Sequence, residues 1–248
     1  MTDVLGWRKV FAVIAPSTNT VVQPDMEAMR PAGVTNQFRD MYVENPQALS
    51  DRDFVAGTDK IADSLSDALR TAVTCGPDYL VMGVSAISFV GGRAGGDQFQ
   101  RQVEEATGLR ASVGSRSVVA ALEAYGGIRR VAFVSPYYPS ANAQVRRYLE
   151  DSGFAVQRDV PLQCTSWRDI AQQPESRLVQ VLRELDGDDV DAIIQVGTNL
   201  SMARLAASAE VWLGKPVIAI NTATYWHALR ANGITDPIDG FGRLLSHL

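Results

Sequence analysis

The chain has 248 residues, 46% of them hydrophobic and 21% charged, and is therefore long enough to bury one large or two small α/β cores. Its formal net charge of -5 leaves no positive surface excess that would attract nucleic acid. Cys75 and Cys164 are its only cysteines, too few for a disulfide framework and without the paired spacing of a zinc site. We therefore expect a globular cytoplasmic protein that binds neither nucleic acid nor metal.

The N-terminus does not have the pattern of a targeting segment. Its first apolar run, Val10–Ala15, is short, follows charged residues and lacks a small-residue cleavage region, so we do not interpret it as a signal peptide. No apolar stretch approaches the roughly 20 residues that a membrane span needs. The sequence therefore predicts no membrane association.

In the first half, apolar runs alternate with amphipathic segments that end at glycine or proline. The pattern predicts strands at 10–15, 34–43 and 79–82. It predicts helices from Thr20 through Met29, and at 50–73, 98–107 and 113–125. The run Tyr79–Met82 has the unbroken hydrophobicity of a strand covered on both faces. The loop that follows it, Gly83–Ser88, is then expected at the carboxyl edge of a parallel sheet, where open α/β folds place ligands.

The pattern restarts at Arg130. It predicts strands at 130–135, 154–162, 191–196 and 216–220, and helices at 140–149, 175–185, 202–213 and 223–231. Repeated strand–helix–strand order favours parallel sheets with right-handed crossovers. We predict an α/β protein of two pseudo-symmetric Rossmann-like domains, residues 1–117 and 118–221, with segment 222–248 completing the first and an active site in the cleft between them.

Neutral polar residues follow the predicted strand ends in both halves. Their side chains can donate or accept hydrogen bonds without carrying a charge: Ser17, Asn19, Ser85, Tyr137, Thr198 and Asn199. With the backbone amides of Ser85 and Ala86, such groups can hold a carboxylate or an enolate-like oxyanion. An alternative is that Ser17–Asn19 only cap the next helix.

Five motifs in the same order resemble one known family. They are Pro16–Thr20 (PSTNT), Gly83–Phe89 (GVSAISF), Val134–Tyr137 (VSPY), Gly197–Leu200 (GTNL) and Asn221–Leu229 (NTATYWHAL). The chain is similar to the maleate isomerase and arylmalonate decarboxylase branch of the aspartate/glutamate racemase superfamily. The resemblance covers nearly the whole chain. It implies two similar domains around a cleft, a homo-oligomer, no metal, no organic cofactor, and proton or carbon chemistry on small carboxylic acids.

The chain departs from this family at its cysteines. In the racemases and maleate isomerases a cysteine follows one strand of each half, and the matching positions here are Val84 and Gly197. The decarboxylases keep the second cysteine, which is also absent here. Valine and glycine can act neither as nucleophile nor as base, which disfavours a two-thiol route. The resemblance still assigns carboxylate binding to Asn19, Ser85 and Tyr137, and Gly197 is expected to leave room for a bulkier substrate.

Other groups are candidates to replace the thiols. Ser85 is the leading nucleophile, but a serine needs a base and none is obvious. Tyr137 and Cys164 are candidate proton donors, although a small buried hydrophobe is the simpler interpretation of Cys164. His227 lies inside a predicted helix, where a structural role is favoured over a catalytic one.

The glycine-rich stretch at 91–96 lacks the Gly-Lys-Ser/Thr ending of a phosphate-binding loop, so we interpret it as a mobile flap from which Arg93 could reach a carboxylate. Cys75 is expected to be a packing residue.

Three functions are consistent with these residues. The first is a cofactor-independent enzyme of the decarboxylase or isomerase type, acting on a small carboxylic acid or related carbonyl compound, with an enolate-type intermediate and proton transfer that does not use the family cysteines. The second is a hydrolase of an amide or lactone, with Ser85 or a water as nucleophile. The third is a binding protein for small acids that has lost catalysis.

Overall fold

The computed structural model of the protein describes residues 3–44, 51–53, 56–57 and 64–248. They form two parallel four-stranded sheets flanked by helices. The strands of the first sheet are β1 (Lys9–Pro16), β2 (Val34–Met41), β3 (Tyr79–Met82) and β4 (Ala111–Ser112). Those of the second are β5 (Arg130–Ser135), β6 (Ala155–Pro161), β7 (Ala192–Gln195) and β8 (Val217–Ala219). The spatial orders are β2-β1-β3-β4 and β6-β5-β7-β8, so each half repeats one topology and the predicted α/β fold is confirmed.

The helices lie between and around these strands. In the part of the chain that is described they are α1 (Val22–Ala28), α2 (Leu65–Ala72), α3 (Gly92–Thr107), α4 (Gly114–Tyr125), α5 (Pro139–Asp151), α6 (Glu175–Leu185), α7 (Ala203–Leu213), α8 (Ile220–Ala231) and α9 (Arg243–His247). Short 3₁₀ turns cover Val73–Cys75, Ala86–Phe89 and Asp169–Gln172.

The central strands β3 and β7 are buried at every position. Apolar side chains on both faces explain why these runs are uninterrupted in sequence, since helices cover each face of a parallel sheet. Each such side chain contributes roughly 1.5–3 kcal/mol relative to an exposed one. The loops at the carboxyl ends of these strands therefore begin at a rigid edge of each sheet.

Helix α8 follows the second sheet in sequence but packs against α4 and strand β3 of the first half. Its Tyr225 ring meets Phe11 of β1 edge-on, with ring centroids 6.1 Å apart, and its hydroxyl donates to Asn36 Oδ1. This packing is what we expect if segment 222–248 completes the first domain. The boundaries at 117/118 and 221/222 stay a prediction.

The glycine-rich segment is a helix, which corrects the predicted flap. A Cβ at Gly95 would lie 2.0 Å from the carbonyl oxygen of Val90, and one at Gly96 would lie 2.6 Å from the Tyr148 ring. Close packing, and not mobility, explains why glycine occurs here. The backbone amide of Arg93 donates to Asp151 at the last turn of α5, so Arg93 lies at the end of that helix opposite to the loop carrying Tyr137.

Smaller differences concern the remaining elements. Strand β4 and helix α9 were not predicted. The predicted helix 50–73 appears as α2 and as helical residues at 51–53 and 56–57, and its other residues before 64 lie outside the described part. Cys75 is exposed, so its expected role in packing is wrong.

Candidate functional site

Three loops from the two halves of the chain meet at the hydroxyl of Ser85. Ser85 follows β3, Tyr137 follows β5 and Thr198 follows β7. The Ser85 Oγ and Tyr137 Oη lie 2.7 Å apart, and the Thr198 backbone amide donates to Ser85 Oγ at 3.3 Å. All three residues are buried. The predicted meeting of the two strand ends is therefore present in the structure.

A second layer of amide side chains joins the same loops. Asn19 Nδ2 donates to Thr198 Oγ1 at 3.2 Å, while its Oδ1 accepts the backbone amides of Val21 and Val22 at the start of α1. Asn199 Oδ1 accepts the Thr20 amide at 3.0 Å, across the two halves. Asn19 thus accepts amides at the start of a helix, as the capping interpretation predicted, and it also contacts the second half. Its role in carboxylate binding stays a prediction.

The backbone amides at the end of β3 remain available. Within the described residues, neither the Ser85 amide nor the Ala86 amide donates a hydrogen bond. Buried amides without a partner cost free energy unless a ligand or water accepts from them. Two adjacent amides of this kind can hold an oxyanion, as predicted from the sequence.

Gly197 has no free space in front of it, which corrects the expected room for a bulkier substrate. A Cβ there would lie 2.4 Å from Cδ of Pro136. Its φ of 100° is also a conformation that side chains rarely adopt. The Pro136 ring therefore fills the position that the resemblance assigns to a cysteine, and it fixes the loop that carries Tyr137.

The acidic groups beside the site are held in their protonated forms. Burial raises the pKa of the Tyr137 phenol well above its usual value, and the hydrogen bond to Ser85 offsets this only in part. Burial, followed by the negative charge of Asp169, raises the pKa of the Cys164 thiol to about 12. The Cys164 backbone amide donates to the Pro136 carbonyl at 3.0 Å, which places this residue beside the Tyr137 loop. At neutral pH both groups are therefore uncharged, so neither can act as a base there.

Three predicted substrate-binding residues make their contacts outside this cluster. The Ser17 hydroxyl accepts the Val43 amide at 2.9 Å and so joins the chain beyond β2 to that beyond β1. Val84 belongs to the hydrophobic core. The Ala86 methyl is partly buried against the same core, so any ligand contact from this residue comes from its backbone amide.

His227 is turned away from the cluster. Its Nδ1 lies 3.3 Å from Ser112 Oγ and 3.1 Å from Ser117 Oγ, at β4 and α4. Burial, then the charges of Arg116 and Arg110, lowers the pKa of its imidazole to about 4. Within the described part of the chain His227 makes no hydrogen bond to Ser85, in agreement with the structural role favoured by its position in a helix.

Two residues near the site were not selected from the sequence. Asn221 Nδ2 donates to the Thr198 carbonyl and to Asp25 Oδ2, both at 2.9 Å. Desolvation raises the pKa of the Asp25 carboxyl. Asn221 follows β8 directly, so the strand-end argument used for Ser85 and Thr198 would have found it. Asp25 lies on α1, where an acidic residue in a first helical turn is ordinarily solvated.

The comparisons with known proteins identify the family. Residues 13–245 match the family model described as arylmalonate decarboxylase. This chain belongs to that family. The maleate isomerase of Nocardia farcinica is 27% identical, over 97% of this chain and 96% of the relative. The arylmalonate decarboxylase of Bordetella bronchiseptica is 27% identical, over 76% of this chain and 79% of the relative.

Solved structures support the same fold. The Nocardia farcinica maleate cis-trans isomerase bound to Tris superposes with a TM-score of 0.85 at 22% identity, covering 96% of this chain and 97% of that one. An arylmalonate decarboxylase crystal structure gives 0.76 at 22% identity, over 95% and 98%. The relatives are isomerases and decarboxylases, which confirms the predicted family branch and enzyme class.

Two features are absent from the described residues. No helix among them is both long and apolar enough to cross a membrane. Within the same ranges, no group of three or more histidine, cysteine, aspartate or glutamate side chains is arranged to hold a metal ion.

Proposed function

We propose that this protein decarboxylates a small substituted malonate or a related dicarboxylic acid. The bond between the α-carbon and one carboxylate breaks, CO₂ leaves, and the bonding electron pair remains on the substrate as an enediolate. A proton then adds to the α-carbon and gives the monocarboxylic acid. Tyr137 supplies this proton, directly or through Ser85, and regains one from solvent.

The observation that carries the proposal is the Tyr137–Ser85 hydrogen bond across the two halves, 2.7 Å long, which places an uncharged phenol hydroxyl where the loops of both halves meet. Decarboxylation needs an acid to protonate a carbanion but needs no base to create one. Racemisation and cis-trans isomerisation by addition to a double bond need a base or a nucleophile. Donors without a matching base therefore favour decarboxylation.

The amides of Ser85 and Ala86 are the proposed binding site for the retained carboxylate. They lie beside the proton donor and donate no hydrogen bond within the described residues. As the carboxylate becomes an enediolate, its oxygens gain negative charge, and fixed amide donors stabilise that charge more than they stabilise the substrate. The Asn19–Thr198 hydrogen bond holds the second strand end in place beside them.

Hydrolysis has weaker support. Within the described part of the chain the Ser85 hydroxyl bonds only Tyr137 Oη and the Thr198 amide, and neither is a base. His227 makes its hydrogen bonds to Ser112 and Ser117 instead. A silent acid-binding protein is the remaining alternative, and the same experiment separates all three.

The test is a panel of substituted malonates, maleate, and simple amides and lactones, incubated in D₂O. Decarboxylation predicts CO₂ release and one solvent deuteron at the α-carbon of the product. Tyr137→Phe should slow both by roughly 10²–10⁴-fold, the usual contribution of a positioned general acid, and Ser85→Ala should also slow both. The matched controls are Ser152→Ala and Tyr225→Phe, since Tyr225 is also buried and hydrogen-bonded to a neutral side chain but lies away from Ser85.

The other outcomes contradict the proposal in different ways. Amine or acid release from amides and lactones without CO₂ would establish the hydrolase. Conversion of maleate to fumarate would establish isomerisation and require a nucleophile that we have not assigned. A rise in melting temperature with substituted malonates, without turnover of any compound, would establish a binding protein.

The location and the assembly of the protein are also proposals. Two cysteines without disulfide spacing favour the cytoplasm. The resemblance supports a homo-oligomer, which size measurement in solution would test.

A further inference from the structure

A polar cavity lies away from the Ser85 loop. It has a volume of about 370 Å³ and is formed by α3, the start of α4, the chain before β4, and α8. All eight residues that line it have polar side chains. Tyr79, one of them, is the first residue of β3, whereas Ser85 follows the last, so the cavity and the candidate site lie at opposite ends of one strand.

The cavity holds more positive than negative charge. Three arginines line it with two carboxylates. Arg116 is paired with Asp97 at 3.1 Å. The Glu104 Oε1 accepts the Gln100 side-chain amide and the Ala111 backbone amide, both at 3.0 Å.

That arrangement leaves Arg101 and Arg110 unpaired. Neither guanidinium forms an ion pair or a hydrogen bond within the described residues. A guanidinium offers planar, paired donors that suit the oxygens of a phosphate or carboxylate. Three arginines against two carboxylates leave the cavity one net positive charge, and two guanidiniums without an ion-pair partner can both donate to the oxygens of one anionic group.

His227 gives the cavity a hydrogen-bond acceptor. The Ser117 hydroxyl donates to the Val113 carbonyl at 2.8 Å, so its oxygen is left to accept from His227 Nδ1 at 3.1 Å. This network assigns the imidazole proton to Nδ1 and leaves a lone pair on Nε2. Because burial and two guanidiniums keep the ring neutral, Nε2 can accept a hydrogen bond from a ligand hydroxyl.

We propose that this cavity binds a hydroxylated phosphate monoester, with the phosphate on Arg101 and Arg110 and a ligand hydroxyl donating to His227 Nε2. A phosphate monoester carries close to two negative charges at neutral pH and offers three oxygens to the arginines. The cavity volume falls in the range of small-molecule sites and leaves room for an organic part beside the phosphate. The inference does not depend on the decarboxylase proposal, since it uses none of the same residues.

Histidine NMR tests the inference with little ambiguity, because the chain has only two histidines. His247 is exposed at the last turn of α9 and serves as an internal reference. Glucose 6-phosphate, glucose and inorganic phosphate are titrated separately at constant ionic strength. We expect a saturable change in the His227 signals with glucose 6-phosphate, weaker binding of inorganic phosphate, and no change with glucose. A bound dianion should also raise the pKa of His227, because it offsets the field of the arginines.

Variants assign the contacts. Arg101→Gln and Arg110→Gln should each weaken glucose 6-phosphate binding by about tenfold or more, the usual effect of losing a charge-assisted hydrogen bond. The matched control is Arg129→Gln, which removes one exposed charge outside the cavity and should leave the affinity unchanged. Amide spectra check that each variant is folded. Signals of His227 that never saturate, or equal affinity in Arg110→Gln and Arg129→Gln, would overturn the site. Equal affinity for inorganic phosphate and the sugar phosphate would overturn the assigned ligand class.

Discussion

Two buried tyrosine–serine pairs lie at opposite ends of β3 and differ in their surroundings. Tyr137 and Ser85 are 2.7 Å apart at the carboxyl end, and Tyr79 and Ser112 are 3.1 Å apart near the amino end. Burial raises the pKa of both phenols. The side chains alone would therefore predict the same chemistry at both places.

Their neighbours decide the difference. Next to Ser85 lie backbone amides that donate no hydrogen bond within the described residues, and these can stabilise a developing oxyanion. Ser112 lies next to His227, whose pKa is lowered by burial and by nearby arginines. The first pair is therefore suited to proton donation to a substrate. The second pair belongs to a network whose histidine, His227, takes up a proton only at acidic pH. The following predictions test this contrast.

The largest expected effect is on catalysis. Tyr137→Phe should lower the decarboxylation rate by roughly 10²–10⁴-fold, the usual contribution of a positioned general acid. Tyr79→Phe removes the same hydroxyl from the other pair and should leave the rate nearly unchanged. Steady-state CO₂ release measures both. Comparable losses in the two variants would mean that the hydroxyl acts through stability and not through the substrate.

The reactivity of Cys164 tests whether burial beside the Tyr137 loop raises the pKa of its thiol. With a pKa of about 12, Cys164 should react with a disulfide reagent at least ~30-fold more slowly than an ordinary free thiol, because the greater nucleophilicity of a more basic thiolate offsets only part of the loss of thiolate. Cys75 is exposed and serves as the reference within the same chain. Both thiols should react rapidly in urea. Equal rates in the folded protein would show that Cys164 is accessible as a thiolate.

Pro136, which precedes Tyr137, packs closely against Gly197, and this packing should contribute to the stability of the fold. Gly197→Ala should lower the free energy of unfolding by about 3 kcal/mol, from backbone strain and from the clash with Pro136. Gly214→Ala is the matched control, because its φ is 66° but no atom lies within 4 Å of the added Cβ, and it should cost about 1 kcal/mol. Urea denaturation gives both values. A cost for Gly197→Ala no larger than the control would mean that Pro136 can move aside.

The stability of the protein should also depend on pH through His227, which lies beside the second pair. Since the pKa of His227 is lower in the folded state than its usual 6.5, the unfolded state takes up the proton first. The contribution of this group to stability is therefore complete above about pH 6.5 and declines as pH falls towards about 4, by roughly 3 kcal/mol. Thermal denaturation in phosphate-free buffer should show this loss in the wild type and in His247→Gln, and less of it in His227→Gln. An identical decline in all three proteins would contradict the assignment.

The order of the elements was readable from local patterns. Strands such as β3 and β5 were predicted with the bounds that the structure gives, because unbroken apolar runs between glycine or proline signals are a strong local signal. Strand β4 has only two residues and leaves no such signal. Helix α3 begins inside a glycine-rich segment that local propensity assigns to a loop, and its contacts with Val90 and Tyr148 override that preference.

The sequence by itself determined the repeated α/β order and the presence of neutral polar residues after the strands, because both follow from periodicity and from the polarity of parallel sheets. Only the tertiary structure decided which of these residues meet. It joined Ser85 to Tyr137, filled the space at Gly197 with Pro136, and placed His227 among arginines. These outcomes depend on contacts between residues far apart in the chain, and on the burial that those contacts create. Local sequence encodes neither.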